Sequence, residues 1–334
     1  MAGKVSWGVL GVAKIGVEKV IPAMQKGAHS SVDAIASRDA ARAKAAAAEL
    51  GIAKSYGSYE ALLADPSIEA IYNPLPNELH VPWTLRALEA GKHVLCEKPI
   101  ALNADEARDL TAAAKAAGKH VAEAFMVRFH PQWRRAREIA QSGTIGEPRA
   151  IQTAFSYYLT DPTNIRNRPP GGGALYDIGC YAILTARYIF GSEPLRVVGV
   201  IDRDPAMGTD RLTSGLVEFP GGRHLTFVCG TQLAGHQRVT ISGAKGRVEV
   251  QVPFNAPPDR PTRILIDSGA DLFGGGARAE EFPICDQYTL QGDAFSQAVR
   301  GAAPLHYGID DAILNMRVID ALFRSAQSGA WERP

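Results

Sequence analysis

Cysteine, net charge and long apolar runs are all scarce in this chain of 334 residues. The four cysteines, at positions 96, 180, 229 and 285, include no CxxC pair, so we expect reduced and mostly buried thiols instead of a disulfide framework or zinc site. A formal net charge of +1 provides no electrostatic footprint for nucleic acid or an anionic membrane. No stretch approaches the roughly 18 consecutive apolar residues of a transmembrane helix.

A strand is predicted close to the start of the chain. The run Lys4–Leu10 begins almost at once and leaves no room for a signal peptide. Hydrophobic content of 46% and charged content of 21% are ordinary for a globular protein. The length favours two domains. We therefore expect a cytoplasmic protein that acts on small molecules and contacts neither nucleic acid nor membrane.

Two patterns divide the chain near Phe125. Residues 1–125 alternate short apolar runs with Ala-rich helical stretches, which predicts an α/β Rossmann domain with a doubly wound parallel sheet. Residues 126–334 begin with a helix and a long strand, continue through a Pro/Gly-rich loop and a helix near 174–190, and end in two further helices. Between these helices, strands are predicted at Arg196–Ile201, Thr213–Phe219, His224–Gly230, Arg238–Ser242 and Arg247–Val252. Short turns between those strands predict a second α/β domain with a mostly antiparallel open sheet.

A dinucleotide fingerprint follows the first strand. In Gly11-x-Ala13-x-x-Gly16, Gly11 allows the tight turn, Ala13 lets a pyrophosphate approach the backbone, and Gly16 lets the helix pack on the sheet. A purely structural turn is the alternative. The predicted cofactor contacts in this segment are Gly11, Val12, Ala13, Lys14 and Ile15.

The end of the second strand bears on the choice of cofactor. An NAD-preferring site places Asp or Glu there to bind the ribose 2′-hydroxyl, whereas this chain has Ser37 and Arg38, with Arg42 one helical turn later. The two arginines are suited to a 2′-phosphate, and Asp39 is available to cap the next helix. We therefore expect NADP, with NAD possible; for Arg42 an ordinary exposed helix charge is the alternative.

The fourth predicted strand ends in a stiff loop with two prolines at 74 and 76. Pro74, Leu75, Asn77 and His80 are its candidate cofactor residues. Asn77 is equally suited to cap the next helix. For His80, which lies just inside that helix, a purely structural role is the favoured alternative.

Lys98 ends the fifth predicted strand in the run Cys96-Glu97-Lys98-Pro99. Side chains at the carboxyl ends of strands in an open α/β sheet face the ligand crevice. A lysine beside apolar surface there loses proton affinity and serves chemistry near neutral pH. Glu97 and Lys98 are also candidate cofactor contacts. The alternative is a solvated lysine paired loosely with Glu97.

The second domain carries a matching segment, Gly171–Tyr181. Its helix places Asp177 and Tyr181 four residues apart and hence on one face. An acid and a phenol brought next to Lys98 form a proton-transfer set, because an ammonium favours the phenolate and the phenol can hydrogen-bond a substrate oxygen. A buried tyrosine bonded within its own helix is the alternative.

Together these segments resemble the Gfo/Idh/MocA family of oxidoreductases. The fingerprint, the loop Pro74–His80, Glu97-Lys98-Pro99 and Gly171–Tyr181 have the family's order and spacing over essentially the whole chain. Many members have His where this chain has Tyr181. Tyrosine there, like the segment Glu123–Pro131, is similar to the glucose–fructose oxidoreductase and dimeric dihydrodiol/D-xylose dehydrogenase branch, which favours NADP. Unlike glucose–fructose oxidoreductase, the chain has no export signal or long N-terminal arm, so we do not expect permanent cofactor retention.

The resemblance implies a mechanism as well as a fold. It implies that Lys98 and Asp177 serve the active site, that Lys98–Pro99 is a cis bond, and that hydride passes reversibly between nicotinamide and a sugar or polyol carbon. Tyr181 would exchange the hydroxyl proton, Lys98 would stabilise the phenolate and Asp177 would orient Lys98 or a substrate hydroxyl. The leading expectation is an aldose 1-dehydrogenase. Alternatives are a reductase of sugar ketones or dicarbonyls, a trans-dihydrodiol dehydrogenase, and a non-catalytic NADP-sensing protein.

The substrate wall is predicted from the long strand and the loop that follows it. Alternate aromatic residues of the strand, Phe155 and Tyr157 among them, face the crevice if the sheet covers it. Arg166 in the loop is suited to substrate hydroxyls or to a lid, and a solvated connection is the alternative. An open sheet often pairs with a second copy, so we expect a homodimer or homotetramer.

Overall fold

The computed structural model describes residues 3–334. The strands are β1 Val5–Leu10, β2 Ser30–Ala36, β3 Lys54–Tyr56, β4 Ala70–Asn73, β5 His93–Cys96, β6 Val121–Glu123, β7 Pro148–Tyr158, β8 Arg196–Arg203, β9 Asp210–Phe219, β10 Arg223–Gly230, β11 Gln232–Gly243, β12 Gly246–Val250, β13 Thr262–Asp267 and β14 Ala277–Phe282. The α-helices are α1 Ile21–Gln25, α2 Ala40–Leu50, α3 Tyr59–Leu63, α4 His80–Glu89, α5 Ala104–Ala117, α6 Pro131–Gln141, α7 Cys180–Phe190, α8 Gln287–Val299 and α9 Ile309–Ser328. Short π-helical segments cover Gly16–Val20 and Leu175–Gly179, and 3₁₀ turns cover Asn77–Leu79, Met126–Phe129, Ile165–Asn167 and Pro220–Gly222.

The chain forms two compact units that are not contiguous in sequence. The first runs to Met126 and includes Gln287–Ile313, and the second comprises Val127–Asp286 and Leu314–Pro334. The sequence-based division at residues 125 and 126 therefore differs from these units over the segment 287–313, which the sequence places with the second domain.

Helix α8 belongs to the first unit because its side chains complete that unit's core. The indole N–H of Trp7 on β1 donates to the hydroxyl of Ser296 at 3.0 Å, and the ring packs against Phe295 at 5.3 Å. The Asp293 carboxylate accepts backbone N–H groups from the turn before β2, at Ala28 and His29, both at 2.8 Å. These contacts join segments that are nearly 300 residues apart in sequence, and no local pattern announces them.

The first unit contains the predicted doubly wound sheet. Its strand order is β3-β2-β1-β4-β5-β6, and every neighbouring pair is parallel. Strands β4 and β5 are almost wholly buried, as expected of strands with helices on both faces. Because the strands are parallel, the segments after β1, β4 and β5 meet at one edge of the sheet, and the order reverses between β1 and β4, where ligands bind in such sheets.

The second unit contains the predicted, mostly antiparallel sheet. Its order is β14-β13-β12-β11-β7-β10-β9-β8, and the β7–β10 pair is parallel. Register separates the two faces. The cross-strand row Phe155, Cys229 and Thr213 is buried, whereas the adjacent row, which includes Val228 and Val200, is exposed. One face of this sheet therefore forms core and the other is open.

The second sheet also has two strands that were not predicted. The five predicted strands correspond to β8–β12 with somewhat different ends, and β13 and β14 extend the sheet beyond them. Strand β14 reads Ala-Arg-Ala-Glu-Glu-Phe and is mostly exposed at the sheet edge, so it lacks the apolar alternation by which strands are recognised.

The structure also bears on membrane-spanning helices, metal-ligand groups and cysteines. No helix within residues 3–334 is long and apolar enough to cross a membrane. Over the same residues no group of three or more His, Cys, Asp or Glu side chains is placed to hold a metal ion. Cys96, Cys180 and Cys229 are buried thiols, as predicted, and Cys285 is half-buried.

Candidate active site

The fingerprint turn between β1 and the first π-helical segment depends on glycine. Gly11 has φ of +84°, a region that favours glycine, and its N–H donates to the carbonyl of Ala36 at 2.8 Å. A Cβ at Gly11 would lie 3.0 Å from Cδ2 of Leu75. Of the other predicted contacts, Val12 and Ile15 pack partly on the core, Ala13 is half-buried and Lys14 is exposed. The turn therefore offers backbone in place of side chains.

The end of β2 is organised by helix capping. The Asp39 carboxylate accepts the backbone N–H of Arg42 at 3.1 Å and caps α2, as predicted, and Ser37 accepts the N–H of Asp39 at 3.1 Å. The guanidinium of Arg42 donates from Nη2 to the carbonyl of Val12 at 2.9 Å, and Arg38 is exposed. A cation therefore lies against the fingerprint turn, while the nearby carboxylate is already used by the helix.

The loop after β4 is held by buried hydrogen bonds. The Asn73 amide donates to the His80 carbonyl at 3.1 Å and accepts the N–H of Leu75 at 3.3 Å. Pro74 and Leu75 are buried against the fingerprint, where Pro74 lies 3.7 Å from the Cβ position of Gly16. Asn77 is half-buried at the start of a 3₁₀ turn.

His80 is fully buried and joins this loop to the segment after β5. Its Nδ1 lies 2.8 Å from the Pro99 carbonyl and its Nε2 lies 2.7 Å from the Leu75 carbonyl. Burial lowers the pKa of His80 to about 4, against the raising effect of the two carbonyl contacts. Because both ring nitrogens face protein carbonyls, the geometry favours the structural alternative for His80 over a direct cofactor contact.

Lys98 lies at the carboxyl edge of the first sheet, after β5. Glu97 accepts the hydroxyl of Tyr72 at 2.7 Å and the backbone N–H of Lys98 at 3.3 Å. Burial and the Glu97 charge raise the pKa of Tyr72, which keeps it a donor. Lys98 is half-buried, and the Lys98–Pro99 bond is cis, as the family resemblance implies. Glu97 thus acts as an anchor for the backbone that carries Lys98.

Asp177 sits in a polar cluster of the second unit. Its Oδ2 accepts the hydroxyl of Tyr157 at 2.6 Å and lies 3.2 Å from Nε of Arg166. Burial, followed by the Asp177 charge, raises the pKa of Tyr157, so the phenol stays protonated and donates. Three of the predicted substrate residues are therefore brought together here.

Tyr181 lies one turn further along, in an aromatic cluster. Its ring is 6.0 Å from Phe155 and 5.3 Å from Phe254, centroid to centroid, and those two phenylalanines stack at 4.7 Å. Tyr181 is largely buried. Phe155 and Tyr157 share the face of β7 that packs on this helix, so the predicted strand contributes both an aromatic backing and a polar contact.

The segment that carries Asp177 and Tyr181 begins against a buried carboxylate. Asp210 accepts the N–H of Leu175 at 2.7 Å and the hydroxyl of Thr213 at 2.8 Å. Burial raises the pKa of Asp210 to about 6. Gly173 has φ of +112°, and a Cβ there would lie 1.8 Å from Oδ1 of Asp210. Sequence reasoning missed Asp210 and Phe254 because both lie far along the chain from the helix they contact.

Comparison with known proteins places these features in context. Residues 5–125 match the Gfo/Idh/MocA model described as an oxidoreductase family with an NAD-binding Rossmann fold, and residues 133–249 match the Gfo/Idh/MocA C-terminal domain. An uncharacterized oxidoreductase, ORF334, of Rhizobium meliloti is 49% identical over 98% of both chains.

Two other relatives are named for an activity. A D-xylose 1-dehydrogenase (NADP(+)) of Haloferax volcanii is 39% identical over 97% of this chain and 98% of its own. The crystal structure of an aldose–aldose oxidoreductase from Caulobacter crescentus, complexed with glycerol, superposes with a TM-score of 0.90. It is 26% identical and covers 99% of this chain and 100% of its own.

Proposed function

Because this chain belongs to the Gfo/Idh/MocA family of oxidoreductases, we propose that it transfers hydride between NADP and a CH–OH carbon of a sugar or polyol. The leading substrate class is an aldose, oxidised at its anomeric carbon. The observation that carries this proposal is the cluster of Asp177, Tyr157 and Arg166 one helical turn from Tyr181 and its aromatic neighbours.

Residues of the first unit fit a phosphorylated dinucleotide. Gly11 presents backbone where a Cβ would meet Leu75, and Arg42 holds its guanidinium against the carbonyl of Val12. Asp39 is committed to capping α2, so its carboxylate does not serve the ribose hydroxyl that NAD-preferring sites bind. An arginine beside the turn and no acid at the strand end favour a 2′-phosphate. The bound cofactor would supply the hydride chemistry.

Residues of the second unit fit a carbohydrate. A sugar combines closely spaced hydroxyls with apolar C–H surface, so a site that binds it needs a few fixed polar groups beside aromatic walls. The Asp177 carboxylate is fixed by the Tyr157 hydroxyl at 2.6 Å and by Arg166 at 3.2 Å. The neighbouring rings of Phe155 and Phe254 supply the apolar part. The names of the Haloferax volcanii and Caulobacter crescentus relatives support the same substrate class.

Each catalytic residue has a separate proposed role. Tyr181 exchanges the proton of the reacting hydroxyl, as base in oxidation and as acid in reduction. Lys98 hydrogen-bonds the reacting oxygen, on which its ammonium stabilises negative charge. Asp177, held by Tyr157 and Arg166, orients a neighbouring substrate hydroxyl, so its role is positioning.

The test is a panel of aldoses, polyols and trans-dihydrodiols, assayed at 340 nm with NADP and NAD separately. We expect turnover with at least one aldose and a higher kcat/KM with NADP. Turnover only in the direction of reduction, with sugar ketones or dicarbonyls, would favour the reductase alternative. Binding of NADP with no turnover on any compound would overturn the catalytic proposal and favour an NADP-sensing protein.

We also propose that two or four copies associate through the open face of the second sheet. On this face Val200 is 74% exposed and Val228 is 36% exposed, and they occupy one cross-strand row with Ser214 between them. Exposed apolar rows on a sheet are typical of subunit contacts. The double substitution Val200→Lys and Val228→Lys should reduce the mass measured by light scattering to that of one chain. Leu272→Lys, at a fully exposed hairpin tip, is the matched control that should leave the mass unchanged.

A further inference from the structure

Tyr59, the first residue of α3, is held rigidly beside the fingerprint turn. Its side chain is 6% exposed, and its ring packs edge-on against Trp83 of α4 with centroids 4.7 Å apart. The guanidinium of Arg86 covers the same indole at 4.6 Å. Trp83 thus holds the ring of Tyr59 in place, and this packing also determines the position of the Tyr59 hydroxyl.

The hydroxyl of Tyr59 points to the space above Gly11. It lies 3.6 Å from the position that a Cβ on Gly11 would occupy. Gly11 has no side chain and turns with φ of +84°. The phenol oxygen therefore borders the surface where the backbone of the fingerprint is left uncovered.

Two other tyrosines of the same unit, the half-buried Tyr56 and the buried Tyr72, differ from Tyr59 in one respect. The hydroxyl of Tyr56 donates to Asp65 at 2.7 Å and that of Tyr72 donates to Glu97 at 2.7 Å. Within residues 3–334 no side chain or backbone group forms a hydrogen bond with the Tyr59 hydroxyl. The Tyr59 ring is buried, but its oxygen is not one of the fully buried atoms without a partner, so it reaches solvent beside the turn. A phenol oxygen that is open at this point and bonded to no protein group is available to a ligand.

We propose that the Tyr59 hydroxyl donates a hydrogen bond to the pyrophosphate of the dinucleotide bound at the Gly11 turn. This inference rests on the proposed NADP-dependent function, since the first glycine of such a fingerprint lies beside the pyrophosphate. A phosphate oxygen is a charged acceptor, and a neutral phenol donates to it without desolvating a second charge. Tyr59 would therefore bind the pyrophosphate, which NADP and NAD share, whereas Arg42 would bind the 2′-phosphate, which only NADP has.

The test measures the Kd of NADP and of NAD by calorimetry on the full-length wild type and on Tyr59→Phe. Losing one hydrogen bond to a charged group weakens binding by about tenfold. We expect that loss for both cofactors, so the ratio of the two Kd values stays the same. Tyr56→Phe is the matched control, because it removes a hydroxyl that bonds Asp65 at 2.7 Å and should leave both Kd values unchanged.

The other outcomes separate the possible failures. Equal NADP affinity in Tyr59→Phe and wild type would overturn the inference. A loss confined to NADP would assign the hydroxyl to the 2′-phosphate and overturn the pyrophosphate contact. Binding of neither cofactor by the wild type would overturn the proposed function itself. A thermal melt of Tyr59→Phe without cofactor shows whether the ring still packs on Trp83, and an NADP-induced rise in Tm equal to that of the wild type would also overturn the inference.

Discussion

Each unit has one helix that starts with a π-helical turn after a glycine-containing segment, and the two starts differ in what they offer a ligand. The N–H of Ile21 donates to the carbonyl of Gly16, and the N–H of Cys180 donates to that of Leu175, both five residues back. Such turns are frequent at functional sites. The first turn presents backbone beside Gly11, whereas the second presents Asp177, with Tyr181 on the following turn.

The glycines before the two helices serve different physical ends. Gly11 leaves the backbone of the turn accessible. A Cβ at this position would lie only 3.0 Å from Cδ2 of Leu75. Gly173 leaves room for a buried carboxylate, because a Cβ at this position would lie 1.8 Å from Oδ1 of Asp210. The cofactor half is thus sensitive to an added atom at its surface. The segment that carries Asp177 and Tyr181 is sensitive to the close fit between its backbone and the buried Asp210.

The largest expected effect comes from adding one methyl group to Gly173, and the same change at Gly11 gives the comparison. Gly173→Ala should lower the free energy of unfolding by about 4 kcal/mol, because overlap with Asp210 adds to an unfavourable φ. Gly143→Ala is the control for φ alone, since Gly143 has φ of +81° with nothing within 4 Å, and should cost about 1 kcal/mol. Gly11→Ala should cost little more than that control while weakening NADP binding. Urea denaturation measures the three, and equal losses in Gly173→Ala and Gly143→Ala would mean that Asp210 moves aside.

The buried carboxylate gives the start of the second helix a pH dependence. Burial raises the pKa of Asp210 to about 6, against the lowering effects of its hydrogen bonds and of Arg203. The pKa of an aspartate in the unfolded chain is near 4. Between pH 4 and about pH 6, Asp210 is therefore protonated in the folded state and ionised in the unfolded state. Stability therefore falls as pH rises through this window, by about 3 kcal/mol.

Asp210→Asn removes this titration and isolates its effect. The stability of the variant relative to the wild type should increase from pH 4.5 to pH 7, and the loss of hydrogen bonding should appear as a constant offset. Denaturation midpoints of both proteins at four or five pH values give the difference. A difference that does not vary with pH would contradict an ionising Asp210.

Isosteric changes at the proposed catalytic residues separate chemistry from cofactor binding. Tyr181→Phe and Lys98→Met should each lower kcat by roughly 10²-fold, because each removes a group that handles the proton or the reacting oxygen. The Kd of NADP should hardly change. Tyr158→Phe, on the exposed side of β7, is the control. Near wild-type turnover in both active-site variants would remove them from the proton-transfer set.

The two helix starts also differ in how far the sequence predicts them. The fingerprint, the capping by Asp39 and the strands of the first sheet depend on neighbours within one βα unit, so their signals are local. Asp177 and Tyr181 were recognisable from helical spacing and family resemblance. Their surroundings were not, because Asp210 is 35 residues from its partner Leu175 and reaches it only through sheet pairing. Tyr59 was missed for the same reason, since its position opposite Gly11 follows from the packing of α3.

The smallest expected effect concerns the preference for NADP over NAD at the fingerprint turn of the first unit. Arg42 holds its guanidinium 2.9 Å from the carbonyl of Val12, at the surface of α2, where water weakens each charged contact. Arg42→Ala should raise the Kd of NADP about tenfold, by loss of a charged contact to the 2′-phosphate, and should leave the Kd of NAD nearly constant. Lys44→Ala, an exposed cation on the same helix, controls for the general loss of positive charge. Equal weakening of NADP and NAD by Arg42→Ala would show that this arginine supports the turn itself. The selectivity would then have to come from Arg38, which the same calorimetric measurement on Arg38→Ala decides.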